Sequence, residues 1–249
     1  MILSKNKIKY IQSLKDKKHR LEYRTFVAEG DKMVTELLDV MKCHILIGTK
    51  EFLASVNTRN IDEVIEVSED ELSKASFLKT PQNVLAVFYQ PEYNINSTDI
   101  KCLLSIALDG IQDPGNMGTI VRLADWYGIE NIFCSKDTAD IYNPKTVQAT
   151  MGALARVRVH YLDLPQLLSD NKDIPIYGTL LDGKNMYSEE LTDNGIIVMG
   201  NEGNGIRPEI RQLLNKHLYI PSYPSDRQTS ESLNVAIATA IICAEFRRR

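Results

Sequence analysis

The stretch LLSIALDGIQDPGNMGTIVRLADW, residues 103–126, decides the fold class. Its first six residues are almost unbroken apolar, which is typical of a strand that is buried on both faces of a parallel sheet. Pro114 and Gly115 then set a turn, and residues 118–127 have the spacing of a helix. A buried strand that passes through a short turn into a helix is the repeating unit of an α/β fold.

The same pattern recurs through the rest of the chain. Further strand-like apolar stretches lie at 132–134, 176–180, 196–199 and 218–221, and helical candidates lie at 144–153, 164–170, 207–215 and 232–246. This alternation predicts an α/β domain with a mostly parallel sheet of about five or more strands.

A smaller α/β pattern precedes this segment. Short strands are predicted at 26–30, 43–48, 64–67 and 83–88, with a helix around 32–38. The following residues, 90–99, are polar and include Pro91, so they offer little to bury. We therefore predict a small domain at residues 1–92, a linker at 93–102 and a second domain at 103–249.

Composition narrows the class of protein. The chain has 249 residues, of which 43% are hydrophobic and 25% charged, values that exclude disorder, collagen-like repeats and disulfide miniproteins. No apolar run approaches the ~20 residues of a membrane span, and lysines follow Ser4 where an export signal would be apolar. We expect a cytoplasmic protein with no membrane partner.

The cysteines and histidines are scattered along the chain. There is no C-x-x-C pair and no cluster with metal-ligand spacing, so we expect reduced thiols and no metal. The residues concerned are Cys43, Cys102, Cys134, Cys243, His19, His44, His160 and His217.

The formal net charge of −4 hides an uneven distribution. Residues 1–24 hold eight basic and two acidic side chains, a local charge of +6, which leaves −10 for the other 225 residues. Ile8, Ile11, Leu14 and, further on, Leu21 fall at roughly helical spacing among the lysines, so this segment is predicted to be an amphipathic helix. Charge alone leaves two interpretations open: a face that binds a phosphate backbone, or an ordinary solvated helix face.

The turn after residue 108 places Arg122 about one turn inside a helix. The helix dipole favours anions at this end, so the position of a cation needs another explanation. Its guanidinium either pairs with a nearby carboxylate, such as Asp109 or Asp113, or reaches an external anion such as a phosphate.

A second turn, Gly200-Asn201-Glu202-Gly203-Asn204-Gly205, follows the predicted strand at 196–199. Its glycines permit a close backbone approach to a ligand, or simply a tight loop. A dinucleotide fingerprint would need glycine at 208, which is Pro208, and no Gly-Lys-Ser/Thr of a P-loop follows. Because Glu202 would repel a phosphate, a ligand with a cationic or hydroxyl-bearing part fits this turn better.

A third junction runs from the loop at 221–231 into the apolar helix predicted at 232–246. Asn234 falls in the first turn of that helix. A buried asparagine needs hydrogen-bond partners, so it either caps the helix or bonds a neighbouring loop.

Taken together, the three junctions resemble the SpoU/TrmH group of the SPOUT methyltransferases. The resemblance rests on D-x-x-x-D-P-x-N-x-G-x-x-x-R from Asp109 to Arg122, G-N-E-G-x-G from Gly200, and Ile220-Pro221 followed by S-L-N-V from Ser232. It covers about residues 103–245. Residues 20–90 also look like the small substrate-binding α/β domain that often precedes this catalytic domain.

The resemblance implies a fold, a reaction and a set of partners. The fold is an α/β parallel-sheet domain with a deep trefoil knot, an exception to the rule that chains avoid knots, preceded by the small substrate-binding domain. The reaction is transfer of a methyl group from S-adenosylmethionine to the 2′-hydroxyl of a ribose in ribosomal or transfer RNA. The family also works as a homodimer.

The family pattern assigns roles to residues of this chain. Catalytic positions are implied for Asn116, Arg122, Glu202, Ser232 and Asn234. Cofactor contacts are implied for Thr179, Leu180, Gly200, Asn201, Gly205, Ile220 and Leu233. Our candidates for RNA binding are Lys15, Lys17, Lys18, Arg20, Arg24 and Arg122.

The role of Arg122 needs a physical interpretation. A guanidinium is effectively always protonated, so it is a poor base. We hypothesise that Arg122 grips the phosphate beside the target ribose, while that phosphate or Glu202 helps to take the proton. One departure from the family is the loop at 222–231, which is longer than usual and weakens the assignment of Leu233 more than that of Gly200.

Three rival functions are considered. A nucleotide-dependent oxidoreductase would share the α/β pattern but lacks the glycine fingerprint. An RNA-binding assembly factor would keep the fold without turnover, although the full set of catalytic residue types argues against it. A base methyltransferase of the same superfamily is nearer, but Asn116 and Arg122 together with Ser232-Leu233-Asn234 favour ribose.

Overall fold

The structure is a computed structural model that describes residues 3–224 and 232–248. The chain divides into two compact units. The first comprises Met1–Glu92 and Asp140–Ala155, and the second comprises Tyr93–Ala139 and Arg156–Arg249.

Helices and strands alternate along both units. The helices of the described residues are α1 (Lys5–Ser13), α2 (Lys17–Tyr23), α3 (Asp31–Leu38), α4 (Lys50–Ser55), α5 (Glu69–Ala75), α6 (Ser97–Cys102), α7 (Pro114–Trp126), α8 (Pro144–Thr150), α9 (Leu164–Asp170), α10 (Pro208–Arg211) and α11 (Val235–Arg248). The strands are β1 (Thr25–Glu29), β2 (Cys43–Gly48), β3 (Glu63–Glu66), β4 (Val84–Tyr89), β5 (Leu104–Asp109), β6 (Asn131–Ser135), β7 (Arg158–Leu162), β8 (Ile176–Asn185), β9 (Gly195–Gly200) and β10 (Lys216–Tyr219).

The first unit is a small α/β structure, as predicted. Its four strands form a mixed sheet in the order β1-β4-β2-β3, in which β4 is antiparallel to both neighbours and β2 is parallel to β3. One core cluster is aliphatic and includes the buried side chains of Leu14, Ile47, Leu72 and Leu85. Ser68 and Glu71 begin α5 with a reciprocal capping box, which explains why that helix starts there.

The basic N-terminal segment is helical, as predicted, but it forms two helices. Ser4 caps α1 by accepting a hydrogen bond from the backbone nitrogen of Lys7. Ile11 and Leu14 are fully buried, whereas Leu21 in α2 is exposed, so the predicted apolar face ends with α1. The segment supplies core side chains and is therefore part of the folded unit, not a detachable arm.

The two compact units differ from the predicted domain limits in two places. Residues 97–102, predicted as linker, form α6, whose Ile100 is buried in the core of the second unit. Residues 140–155, predicted to belong to the second domain, group with the first unit, where α8 packs against β1. Local composition does not reveal α6, because a single buried side chain, Ile100, anchors it. It does not reveal the grouping of residues 140–155 either, because the periodicity of a helix does not say which sheet the helix covers.

The second unit is built on a parallel sheet, as predicted. Six strands lie in the order β10-β8-β9-β5-β6-β7, and all of their pairings are parallel. Every residue of β5 is buried. The apolar pattern missed β7 because it is an edge strand of which only His160 is buried. The helix predicted at 207–215 is limited to the single turn of α10.

The sheet topology brings the motif loops to one place. Parallel strands end at the same edge of a sheet, and open α/β folds bind ligands along that edge. The loops that follow β5, β9 and β10 all leave from it. The trefoil knot implied by the family resemblance stays a prediction.

β8 changes its neighbours along its length. Its pairing with β9 ends at Gly178, and its register with β10 then jumps from Gly178 to Lys184. Thr179 and Leu180, two predicted cofactor contacts, lie at the start of this irregular stretch. Within the part of the chain that the structure describes, no helix has the length and apolar character needed to cross a membrane.

Candidate active site

A chain of hydrogen bonds joins the three motif loops. Asn234 Nδ2 donates to Asn116 Oδ1 at 3.0 Å, and Asn116 Nδ2 donates to Glu202 Oε1 at 3.1 Å. The backbone nitrogen of Gln112 donates to the other oxygen, Glu202 Oε2, at 3.3 Å. Three of the predicted catalytic residues, which are far apart in sequence, therefore contact one another directly.

Helix starts position the two asparagines. Asp113 caps α7 by accepting a hydrogen bond from the backbone nitrogen of Asn116 at 2.8 Å. Asn234 Oδ1 accepts hydrogen bonds from the backbone nitrogens of Ala236 at 3.0 Å and Ile237 at 3.3 Å, at the start of α11. Asn234 therefore caps its helix and bonds a neighbouring loop at the same time, so both interpretations left open by the sequence apply.

An ion pair that sequence reasoning missed joins the end of β5 to the start of α10. The Asp109 carboxylate is 1% exposed. Its Oδ1 accepts from Arg207 Nε at 2.6 Å, and its Oδ2 accepts from the backbone nitrogen of Arg207 at 2.8 Å. This hydrogen bonding raises the pKa of the Arg207 guanidinium. A carboxylate buried at a strand end needs a cation, and that requirement was the signal available in the sequence.

The glycine-rich turn is shaped by its own backbone. A Cβ at Gly200 would lie 2.4 Å from the carbonyl carbon of Gly205, so only glycine fits. Asn201 Oδ1 accepts from the backbone nitrogens of Gly203 at 2.9 Å and Asn204 at 3.0 Å, while Asn201 Nδ2 donates to the Gly110 carbonyl at 2.6 Å. The Asn201 side chain therefore shapes the loop, and its contact with a cofactor stays a prediction.

Arg122 has no internal partner among the described residues. It is exposed on α7, and it forms neither a hydrogen bond nor an ion pair with residues 3–224 or 232–248. Asp109 is engaged by Arg207, and Asp113 caps the helix. Of the two interpretations the sequence left open, pairing with a local carboxylate is excluded for these two residues, and the guanidinium is available to an external anion.

The remaining predicted site residues lie at the same edge of the sheet. Thr179 Oγ1 donates to the Val198 carbonyl at 3.0 Å, which fixes its side chain. Leu180 and Ile220 are half-buried. Ser232 and Leu233 are exposed and directly precede Asn234; Gly205 has a φ of +69°, which favours glycine. Within the longer loop, residues 225–231 lie outside the described residues.

The prediction that Arg20 binds RNA is wrong. Its side chain is 2% exposed. Nη1 donates to the carbonyls of Leu14 at 2.7 Å and Lys15 at 2.6 Å, and Nη2 donates to Asp140 Oδ2 at 2.7 Å. The guanidinium ties the turn between α1 and α2 to the segment that begins at Asp140, so it cannot reach a phosphate.

The other basic candidates of the first unit are exposed. Lys17 and Lys18 have no ion-pair or hydrogen-bond partner within the described ranges. The Lys15 ammonium lies 4.8 Å from the centroid of the Phe77 ring, and Arg24 Nη2 donates to Glu92 Oε1 at 2.5 Å. Of these four candidates, Lys17 and Lys18 have the fewest contacts with other described residues.

The fold and this site define an α/β protein with a parallel sheet. At the carboxyl edge of that sheet, Glu202 is bonded by Asn116, which is bonded in turn by Asn234, and Arg122 has no partner among residues 3–224 and 232–248. Residues 103–244 match the SpoU rRNA Methylase family, and residues 5–86 match the MRM3-like substrate binding domain. The chain belongs to the SpoU rRNA methylase family.

Individual relatives cover nearly the whole chain. The 23S rRNA (guanosine(2553)-2'-O)-methyltransferase RlmP of Bacillus subtilis is 33% identical, over 97% of this chain and 96% of its own. A TrmH-family protein from Porphyromonas gingivalis has a structure that is similar with a TM-score of 0.91 and 42% identity, over 100% of both chains. The AdoMet-bound rRNA methyltransferase from Sinorhizobium meliloti has a TM-score of 0.86 and 31% identity, over 97% of this chain and 94% of its own.

Proposed function

We propose that this protein transfers a methyl group from S-adenosylmethionine to the 2′-hydroxyl of a ribose in ribosomal RNA. The observation that carries the proposal is the hydrogen-bonded chain Asn234–Asn116–Glu202, together with Arg122, six residues further along α7 than Asn116, which has no partner among the described residues. The relatives that match over most of their length are named as ribosomal RNA 2′-O-methyltransferases or as AdoMet-bound structures. Ribosomal RNA is therefore preferred to transfer RNA.

The residues at the carboxyl edge fit the proposed cofactor. Leu180, Ile220 and Leu233 present partly exposed apolar surface, which suits an adenine ring and a thioether chain. The tight turn at Gly200 and Gly205 holds backbone polar groups at the same edge. When bound, S-adenosylmethionine supplies a methyl group that is already activated for transfer.

Arg122 binds the phosphate next to the target ribose. A planar guanidinium can form two parallel hydrogen bonds to one phosphate, which fixes orientation as well as position. Positioning supplies much of the rate when a methyl carbon must lie in line with an oxygen. The absence of a partner for Arg122 among the described residues supports this role, since no ion pair with those residues must be broken to bind RNA.

Glu202 is the residue placed to help remove the hydroxyl proton. Its carboxylate is held by the Asn116 side chain and the Gln112 backbone, so its direction is fixed before substrate binds. Asn116 is a positioning residue, and Asn234 fixes the amide orientation of Asn116 in turn. The substrate phosphate is the alternative proton acceptor, and Ser232 lies next to this group in sequence.

A homodimer is proposed as the working form. α7 and α11 pack against each other, and each leaves a large apolar side chain exposed: Trp126 is 83% exposed and Ile237 is 54% exposed. A contiguous exposed apolar patch marks an interface between subunits, and we propose that Trp126 lies in such a patch. Sedimentation of the wild type and of Trp126→Lys tests this, since a dimer that uses this surface should dissociate on substitution.

The protein is proposed to act in the cytoplasm. Its four cysteines are all free, which suits a reducing compartment. In the described residues, no group of His, Cys, Asp or Glu side chains is arranged to hold a metal ion. The mechanism proposed here uses none.

The decisive experiment is a methylation assay with total ribosomal and transfer RNA. The purified protein is incubated with labelled S-adenosylmethionine, and the nucleosides are separated and identified by mass spectrometry. We expect a 2′-O-methyl nucleoside from ribosomal RNA. A methylated base would show the protein to be a base methyltransferase, and RNA binding without any methylated product would support an assembly factor.

Arg122→Lys tests the phosphate grip itself. Lysine keeps the charge but loses the two-pronged geometry. Single-turnover methylation should fall at least about 10-fold while cofactor affinity, measured by calorimetry, stays unchanged. Nearly full single-turnover activity in the variant would show that a bidentate grip is not needed.

A further inference from the structure

Five rings lie in a continuous series on the first unit, and we name them the ring series: His19, Tyr23, Tyr10, His44 and Tyr89. Neighbouring ring centroids are separated by 6.1 Å for His19 and Tyr23, by 5.1 Å for Tyr23 and Tyr10, by 6.2 Å for Tyr10 and His44, and by 5.2 Å for His44 and Tyr89. The series links α2, α1 and the two strands β2 and β4.

The ring series runs from the surface to the edge of the core, where Tyr10 is partly buried and packs against the core cluster. Tyr23 is 43% exposed, and the side chains of His19 and His44 are each 34% exposed. A ring series at the surface leaves faces and edges open to an incoming planar group.

The polar groups of the series hold its inner rings in place. The Tyr89 hydroxyl donates to Asp62 Oδ2 at 2.8 Å, and His44 Nδ1 lies 3.0 Å from that hydroxyl. The Tyr10 hydroxyl lies 3.0 Å from Thr25 Oγ1. Because these bonds fix ring orientation in advance, a ligand that stacks on the series orders few side chains on binding.

Basic side chains flank both ends of the series. Lys17 and Lys18 directly precede His19 on α2 and have no partner in the described part of the chain. At the other end, the Lys42 ammonium lies 5.0 Å from the Tyr89 ring centroid. Two carboxylates beside the rings are engaged: Glu22 contacts His19 at 3.3 Å, and Asp62 contacts Lys42 at 3.5 Å. A third, Asp16, directly precedes Lys17 and forms no side-chain capping bond to α2.

We propose that the ring series binds unpaired bases of the RNA substrate by stacking, with Lys17 and Lys18 on the adjoining phosphates. Rings interleaved with cations are the means by which proteins hold single-stranded nucleic acid, since every base has a face on which a ring can stack. A duplex hides those faces, so the preferred ligand is single-stranded RNA. The inference rests on the proposed RNA methyltransferase function and adds the form of RNA that the first unit recognises.

Stacking and phosphate contacts can be told apart by salt. Phosphate contacts set the slope of log affinity against log salt concentration, whereas stacking shifts affinity equally at every salt concentration. We therefore propose to measure, by fluorescence anisotropy, the binding of a labelled single-stranded RNA of mixed sequence and of its duplex over a series of salt concentrations, with the full-length protein.

Tyr23→Leu should weaken single-strand binding about 10-fold with no change of slope, because one stacked base is lost. Tyr23→Phe keeps the ring and should bind as the wild type does. The double variant Lys17→Gln, Lys18→Gln should instead make the slope less steep. Duplex binding should respond to the lysine variant and not to Tyr23→Leu.

Equal single-strand affinity for Tyr23→Leu and the wild type would overturn the proposal, as would equal losses for single strand and duplex. Thermal unfolding of each variant checks the fold, and His19→Leu is the second variant should Tyr23→Leu unfold. The binding measurement also separates the stacking of bases on the ring series from the proposed methylation reaction. Lack of any 2′-O-methyl product contradicts the proposed reaction, whereas the ring series is judged on binding alone.

Discussion

Arg20 in the first unit and Arg122 in the second unit are two arginines that the sequence placed in the same role. Arg20 is 2% exposed and is bound to two backbone carbonyls and to Asp140. Arg122 is exposed and has no partner among the described residues. The difference teaches that the partners available after folding, and not the residue type, decide whether a cation stabilises the protein or binds a ligand.

The same contrast holds for the surroundings of each arginine. In the first unit, Asp140 is there to neutralise a cation that is already inside the protein. In the second unit, the carboxylates of Asp109, Asp113 and Glu202 are engaged by other groups, and Arg122 has no partner among the described residues.

Arg20→Ala should have the largest effect, on stability. It leaves two carbonyls and the mostly buried Asp140 carboxylate without their donor, which costs about 3 kcal/mol. Denaturant unfolding measures this loss. Lys18→Ala, an exposed change on the same helix, is the matched control and should change stability by less than about 0.5 kcal/mol. Equal stability of the two variants would contradict the structural role of Arg20.

Arg122→Ala should lower activity and leave stability unchanged, whereas Arg20→Ala lowers stability. Methyl transfer should fall about 100-fold, as is typical when one charge-stabilising donor is removed, while the free energy of unfolding stays unchanged. The control is Arg156→Ala, an exposed arginine of the same unit whose Nε donates to Asp125 Oδ1 at 2.8 Å. A large loss of stability in Arg122→Ala would show that Arg122, like Arg20, supports the fold.

Gly200→Ala should weaken cofactor binding, by about 10-fold if the loop shifts enough to lose one good contact. The added Cβ would meet the backbone at Gly205 and Ile206 at 2.4 Å. At Gly203, an added Cβ meets only Asn201 Oδ1 at 3.6 Å, an ordinary contact, so Gly203→Ala is the matched control. Calorimetric titration with S-adenosylmethionine compares them, and equal affinities would place the cofactor away from this turn.

Treatment of the folded protein with iodoacetamide should give the smallest effect. We expect one alkylated cysteine, Cys102. Burial raises the pKa of Cys43 and of Cys243 to about 12 and also raises the pKa of Cys134, whereas Cys102 is exposed. At pH 8 the buried thiols are therefore protonated as well as inaccessible. Mass spectrometry after iodoacetamide treatment counts the adducts. A second adduct on Cys43 would indicate opening of the first unit, and one on Cys134 or Cys243 opening of the second.

Much of the fold was predictable because its signals are local. β5 and β9 are buried on both faces, so their sequences are continuously apolar. The grouping of Asn116, Glu202 and Asn234 was predictable only from the ordered motifs. These motifs place each residue after a predicted strand, and parallel strands bring the loops that follow them to the same edge of the sheet. The pairing of Asp109 with Arg207 was missed, although a carboxylate at the end of a buried strand calls for a cation.

Other features depend on contacts between distant residues, which local patterns do not record. The helical character and the positive charge of residues 1–24 were predictable from the sequence. How deeply their side chains are buried was not, because burial depends on the sheet that the segment covers. α8 was predicted as a helix, yet its unit is decided by packing against β1. The ring series joins residues from position 10 to position 89, so no window of sequence shows it.

The sequence by itself determined the α/β class, the order of the motifs and the residue types of the active site, because apolar periodicity and turn chemistry act over a few residues. Only the tertiary structure decided which charges are buried and which are free. That choice depends on the geometry of partners brought from elsewhere in the chain: Asp140 reaches Arg20, Arg207 reaches Asp109, and no described residue reaches Arg122.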